Sequence, residues 1–289
     1  MDSKDHTSSG TLSIGGLDFL TPMGRAHGLK TTLALVSLMP FKTADNQRAT
    51  ISHVDWTLPF SQVDLRFSLD SQRAKLEALA ADWAQGHVAL GPVTINLAAP
   101  STISGTARLS SIALDSLITA SNLENRVKLA GKVSGSIPFA ATPEDIRITD
   151  GHLAADGPGR LSVNRSLWVQ ESAAAPNAVQ DFAYQALENL AFDQLSADLN
   201  SVANGRLQIL FHIKGHSDPP RPQTAEVAIS DIFNGTALQK PIPLPSGTPI
   251  DLTLDTSLNF DELLKSYANA WSMSLGPAGQ PDSGAGAKP

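Results

Sequence analysis

The chain contains no cysteine. Disulfides, zinc–thiolate centres and thiol nucleophiles are excluded together. Aromatic residues make up only 6% of the 289 residues and charged residues 17%. Positive charge is the scarcer sign: 21 Lys+Arg stand against 28 Asp+Glu, a net charge of −7. There is no basic run, and phosphate binding needs a basic surface, so nucleic acid is not an expected partner. No apolar run approaches the ~20 residues of a membrane-spanning helix. The opening "MDSKDHTSSG" lacks the basic and apolar regions of a signal peptide. A P-loop, GxGxxG, GxSxG and HExxH are all missing as well. No nucleophile–base pair or ligand set stands out, so the sequence points to neither an enzyme, a cofactor nor a metal centre.

What is present is period-two alternation. In "RVKLAGKVSGSIPF" (126–139), Val127, Leu129, Val133, Ile137 and Phe139 fall on one parity. Arg126, Lys128, Lys132, Ser134 and Ser136 fall on the other. That is a strand with one wet face and one apolar face. Val63, Leu65, Phe67 and Leu69 repeat the pattern, as do Leu207, Ile209, Phe211 and Ile213, and Ile250, Leu252 and Leu254. Shorter runs occur at 31–35, 88–97, 146–148, 161–163 and 227–229. "DGPG", "ANG", "GHSDPP" and "PLPSG" separate the runs with turn residues. Many short strands at regular spacing predict antiparallel, mainly β structure.

Two amphipathic helices are expected. Pro176–Asn189 carries Val179, Phe182, Ala183, Ala186 and, just beyond it, Leu190 at helical spacing, and Phe260–Trp271 carries Leu264, Tyr267, Ala268 and Trp271. A short helical turn follows Asp115. The Gly/Pro/Ala-rich tail 272–289 has nothing to bury and is expected to be disordered, and the polar stretch 1–10 is expected to be a flexible tail. The body, 11–271, reads as a single elongated domain.

Few residues invite a chemical reading. His212 and His216 in "HIKGH" share a strand face but lie about 13 Å apart by strand rise, too far for one metal ion. They read as solvent-facing histidines. The carboxylates of "ITDGHLAADGPG" (148–159) lack the EF-hand spacing and suit turns. Trp56, Trp83, Trp168 and Trp271 are dispersed, form no stacking series for bases or sugars, and read as packing or sheet-edge residues.

Three segments carry a resemblance: "IRITDGHLAADGPGRLSV" (146–163), "LENLAFDQLSADLNSVANGRLQILFHIKGHSDP" (187–219) and "LNFDELLKSYANAW" (258–271). Their order resembles the YdbH-like members of the AsmA/TamB group of bacterial envelope proteins. It covers about 140–271 closely and 11–139 in style. After Lys214-Gly215 this chain has His216-Ser217-Asp218-Pro219 where several relatives have Asn-Pro.

The resemblance implies a long, strongly bent antiparallel sheet forming an apolar groove, with two or three short amphipathic helices. It implies a non-catalytic segment that shields phospholipid acyl chains between the inner and outer membranes of a Gram-negative envelope. Full-length relatives start with a membrane anchor, so a fragment or truncated relative is expected. The expected lining is Val63, Leu65, Phe67, Val127, Leu129, Val133, Ile137, Leu207, Ile209, Phe211 and Ile213. The expected partners are acyl chains and a small outer-membrane lipoprotein adding a strand at the C-terminal edge, near Pro249–Leu258. A second reading stays open, because the same alternation suits a structural or adhesive envelope protein with a closed core and no lipid ligand.

Overall fold

A computed structural model describes residues 8–21, 24–97, 102–121, 123–142, 145–164, 185–202, 205–221 and 244–259. Among these, strands dominate, as the alternation predicts. They are β1 (Gly10–Thr21), β2 (Gly24–Leu38), β3 (Phe41–Thr43), β4 (Gln47–Val54), β5 (Phe60–Leu69), β6 (Arg73–Trp83), β7 (Gly86–Leu90), β8 (Val93–Asn96) and β9 (Ile103–Ala113). After helix α1 (Leu114–Ala120) come β10 (Val127–Ala130), β11 (Lys132–Ala141), β12 (Ile146–Ile148), β13 (Gly151–Ala155), β14 (Gly159–Val163), β15 (Leu190–Val202), β16 (Arg206–Ser217) and β17 (Pro249–Asn259).

Several strands are pieces of one longer row. β3 and β4 both pair with β2, β7 and β8 both with β6, and β12 and β13 both with β11. β14 continues that last row against β10. Each row pairs antiparallel with the next in the chain, giving one meander from β1 to β17. Sequence-adjacent rows are the cheapest to pair because the loop closed between them is short. Among the described residues β1 pairs only with β2, and β17 only with β16, so the sheet is open and has two edges.

The register carries one parity of each strand onto one face. Directly opposite residues in an antiparallel pair point the same way. Starting at the N-terminal edge, Leu12 opposes Leu33, Ala26 opposes Val54, Ile51 opposes Val63 and Leu65 opposes Leu79. Leu79 then opposes Leu90, Ala107 opposes Ile137, Gly135 opposes Leu153 and Leu153 opposes Ala197. Ala197 opposes Phe211, which opposes Leu254. This is the inner face. The outer face carries charge and polarity: Arg48 lies opposite Arg66, Ser136 opposite Arg108, and His152 opposite Asp198.

The inner face gathers into four clusters along the meander. One centres on Ala26, Ile51, Val54, Val63 and Ala81. A second joins Ala84, Ile112, Leu114 and Val133, with Leu117 of α1 against it. A third holds Ile148, Ala197, Leu199 and Leu207. The fourth packs Leu190, Phe192, Ile213 and Ile250 with Ala186 and Leu244 from outside the strands.

Two expected helices fall mainly outside the described residues. Of Pro176–Asn189, a helical turn at 185–188 is described, and Leu190, expected on its stripe, instead opens β15 because it pairs with Leu161 and Ser217; Phe260–Trp271, the 227–229 strand, Phe182, Trp168 and the tail 272–289 lie outside. The turn expected after Asp115 is α1, which starts one residue earlier. At the N-terminus, strand pairing begins at Gly10, and the Ser8 carbonyl accepts a hydrogen bond from the Leu38 N–H at 3.1 Å.

Candidate functional site

The residues singled out in the sequence share one face, but they do not share one environment. Val63, Val133, Leu207 and Ile213 are buried among their own neighbours. Leu65, Phe67, Val127, Leu129, Ile137, Ile209 and Phe211 are half-buried. The register accounts for each. Val63 and Leu65 lie opposite Ile51 and Ala49, while Phe67 lies opposite Gln47 on one side and Leu76 on the other. Ile137 opposes Ala107, and Ile209 sits between Leu199 and Thr256. Val127 and Leu129 oppose Val163 and Leu161.

Distances within the set follow from the clusters. Ile137, Ile209 and Phe211 pack against the cluster that contains Leu207. Leu129 touches two clusters, those of Val133 and of Phe192. Val63 and Leu65 belong to the N-terminal cluster instead. The face is therefore continuous by register and divided by packing.

The inner face is least covered towards its edges and one end. Leu12 and Leu17 on β1 are 50% and 46% exposed, and Ile95 on β8 is 37% exposed. Large aliphatic side chains left this open in a folded sheet mark a surface that another apolar body can cover.

The outer face is laced by exposed charge pairs. Arg48 Nε donates to Asp64 at 2.9 Å, and Arg160 pairs with Asp218. Such exposed pairs contribute little to stability. His212 and His216 lie on this face of β16. His212 sits 3.7 Å from Asp198, and His216 sits 3.9 Å from Asp193.

Trp56 and Trp83, distant in the sequence, pack in one stack: Phe60 lies parallel to both, with ring centroids at 5.5 and 5.6 Å. The β4–β5 connection and the return of β6 bring the three rings together, and the Trp83 indole N–H donates to the Leu58 carbonyl at 3.2 Å. Sequence separation hid this contact because the strands between the rings run out and back.

A second constellation was also invisible in the sequence. His27 and His53 oppose each other across β2 and β4, with rings stacked at 4.4 Å. Asp55 and Asp18 flank them.

Taken together, the molecule is an open antiparallel β-sheet protein with one apolar face running through consecutive rows and a polar face behind it. The YdbH-like family, described as intermembrane phospholipid transport protein YdbH, matches residues 1–267, and the chain belongs to that family. The match extends through the N-terminal half, where the sequence resembles the family only in style. Membership implies phospholipid transport between membranes of the cell envelope, a role that is generally non-catalytic. No curated protein and no solved structure matches the chain significantly.

Proposed function

We propose that the inner face is an acyl-chain path, and that this chain shields phospholipid tails along it without catalysis. The observation that carries the reading is the half-buried apolar strip of Leu65, Phe67, Leu129, Ile137, Ile209 and Phe211 on one face of an open sheet. An acyl chain in water costs roughly 0.8 kcal/mol per CH₂, about 12 kcal/mol for a 16-carbon tail. A face that is uncovered yet apolar relieves that cost. It also makes no directional bonds, so a tail can slide. The buried members, Val63, Val133, Leu207 and Ile213, support the wall and touch lipid little.

The test is mass spectrometry of the purified protein together with site-specific photo-crosslinkers. Stoichiometric phospholipid is expected. Crosslinkers at Phe67, Ile137 and Ile209 should capture it, and those at Lys128 and Lys132 should not. Ile209→Asp should abolish lipid capture. A folded, lipid-free protein, or equal labelling on both faces, gives the reading up in favour of a structural envelope protein with a closed core.

The same reading includes a partner. An unpaired edge recruits a further strand, and β17 pairs only with β16 among the described residues. A small outer-membrane lipoprotein adds its strand to β17. Leu252→Pro should then lose that partner while melting near the wild-type temperature. Global unfolding of Leu252→Pro would instead mean that β17 is an internal strand.

A further inference from the structure

We infer that His27, His53 and Asp55 form a binding site for a borderline divalent transition metal, zinc in the first instance, on the outer face at the N-terminal edge of the sheet. The site is independent of the inner face: His27 and His53 lie on the parity opposite to Ala26 and Val54, which are buried in the N-terminal cluster.

The backbone sets the site up first. His27 and His53 are direct register partners on β2 and β4. Opposed residues in an antiparallel pair hold their Cβ atoms about 5 Å apart, close enough for two imidazoles to reach one ion. Asp55 follows β4 immediately, and its N–H donates to the Arg25 carbonyl at 2.8 Å, which fixes it beside the pair. The three side chains offer ligand atoms that all lie within 4.8 Å of one another. Two of the spacings are already shorter: Asp55 lies 3.1 Å from His27 Nε2 and 3.7 Å from His53 Nε2. Ligands at about 2.0–2.1 Å from a tetrahedral zinc stand roughly 3.3 Å apart. The rings are nearly parallel, 16° between planes, so their lone pairs do not yet converge. His53 is 48% exposed and has room to tilt towards the ion.

Asp18 makes the arrangement more than a crossing of side chains. Its carboxylate lies 2.9 Å from His27 Nδ1, and its other oxygen accepts the Gly28 N–H, also at 2.9 Å. Gly28 has φ +69°, and a Cβ there would sit 2.5 Å from the Ser52 hydroxyl, so the bend that aims this N–H needs glycine. A carboxylate on Nδ1 fixes the tautomer and leaves Nε2 free to ligate, the arrangement usual behind metal-bound histidines. Two imidazoles, one carboxylate and an open side to solvent suit zinc with water in the remaining position. The ion would tie β2 to β4 and, through Asp18, both to β1. The alternative for the same atoms is a protonated His27 clasped between two carboxylates; its pKa is raised by the Asp18 hydrogen bond and then by that from Asp55.

The experiment is calorimetric titration of the full chain with zinc chloride at neutral pH after chelator treatment. One equivalent is expected to bind. Affinity should fall at least tenfold in His53→Gln and in Asp55→Asn and several-fold in Asp18→Asn. It should stay unchanged in His212→Gln and His216→Gln, histidines that also lie near aspartates on this face. Nitrogen-detected NMR should show the Nε2 signals of His27 and His53 shifting on zinc addition, and circular dichroism should show each variant folded. Absence of stoichiometric binding leaves only the carboxylate clasp and overturns the assignment. Equal loss in the His212 or His216 variants overturns it too. Because neither outcome involves the inner face, lipid capture by His53→Gln should match wild type.

Discussion

β15 and β1 both belong to the same sheet and both carry large aliphatic residues on the inner face, yet they end in opposite states. On β15, Leu190 and Phe192 are 0% and 1% exposed, and Ala197 and Leu199 are buried. On β1 no residue is buried. β15 has paired rows on both sides, and Ala186 and Leu244 pack against its core. Among the described residues β1 pairs with one neighbour, and it reaches the N-terminal cluster through the partly buried Phe19. Leu244 is held there by its N–H bond to the Gln185 side chain at 3.2 Å. Alternation therefore specifies which face is apolar. Whether that face is covered depends on what the chain sends across it. Under the proposed acyl-chain path, the uncovered rows would meet lipid and the covered rows would support them.

The largest effect that tests this contrast is truncation. Phe192→Ala should destabilise the protein by about 3–5 kcal/mol, because it opens a cavity in a fully buried site. Leu12→Ala should cost under about 1 kcal/mol, since that side chain is already half in water. Chemical denaturation of both variants measures the difference. Similar losses would mean that β1 is covered in solution.

A smaller effect tests the same contrast from the other direction, by adding atoms. A Cβ at Gly159 would lie 2.2 Å from the Phe192 ring and 2.3 Å from the Ala130 carbonyl. Gly159→Ala should cost about 1–3 kcal/mol through overpacking. At Gly15 a Cβ would meet nothing within 4 Å. Gly15→Ala should stay within about 0.5 kcal/mol of wild type. A costly Gly15→Ala would reveal a body packed on the β1 edge.

The same physics explains what could be read in the sequence. The strands at 60–69, 206–217 and 249–259 announce themselves because each alternates over its length, and their side-chain parity follows directly. β6 does not. "RAKLEALAADW" is rich in Ala, Leu, Lys and Glu, all good helix formers. It is a strand because Leu79 and Leu76 find Leu65 and Phe67 on β5, and tertiary pairing outweighs local propensity. β1 was equally quiet, since Gly15 and Gly16 interrupt its pattern and coincide with its register shift. The candidate lining was legible as a face, because parity is local. Its division into buried and half-buried members was not, because burial depends on rows distant in the sequence. The His27–His53 pair and the Trp56–Phe60–Trp83 stack were invisible for that reason too.

The smallest expected effect concerns how the less covered rows are held. Their turns rely on polar anchors: the buried Thr43 hydroxyl accepts the Leu69 N–H, and Asp70 caps the β5–β6 turn. The Asp70 carboxylate accepts N–H bonds from Gln72 at 2.8 Å and Arg73 at 2.7 Å. The Gln72 bond, first, holds its pKa below the ordinary 3.8; desolvation opposes it, and the Arg73 N–H bond and the Arg73 charge add to the lowering. These bonds favour the charged form, so the folded state binds its proton less readily than the unfolded chain does. The contribution is complete above pH 3.8 and is lost as the pH falls through the depressed folded value. The melting temperature of wild type should thus exceed that of Asp70→Ala by a small margin at pH 6, and the margin should shrink under acid. Phe192→Ala should keep its full deficit over the same range, because no titrating group is involved. A margin for Asp70→Ala that did not change with pH would mean that the turn is held by its backbone shape alone.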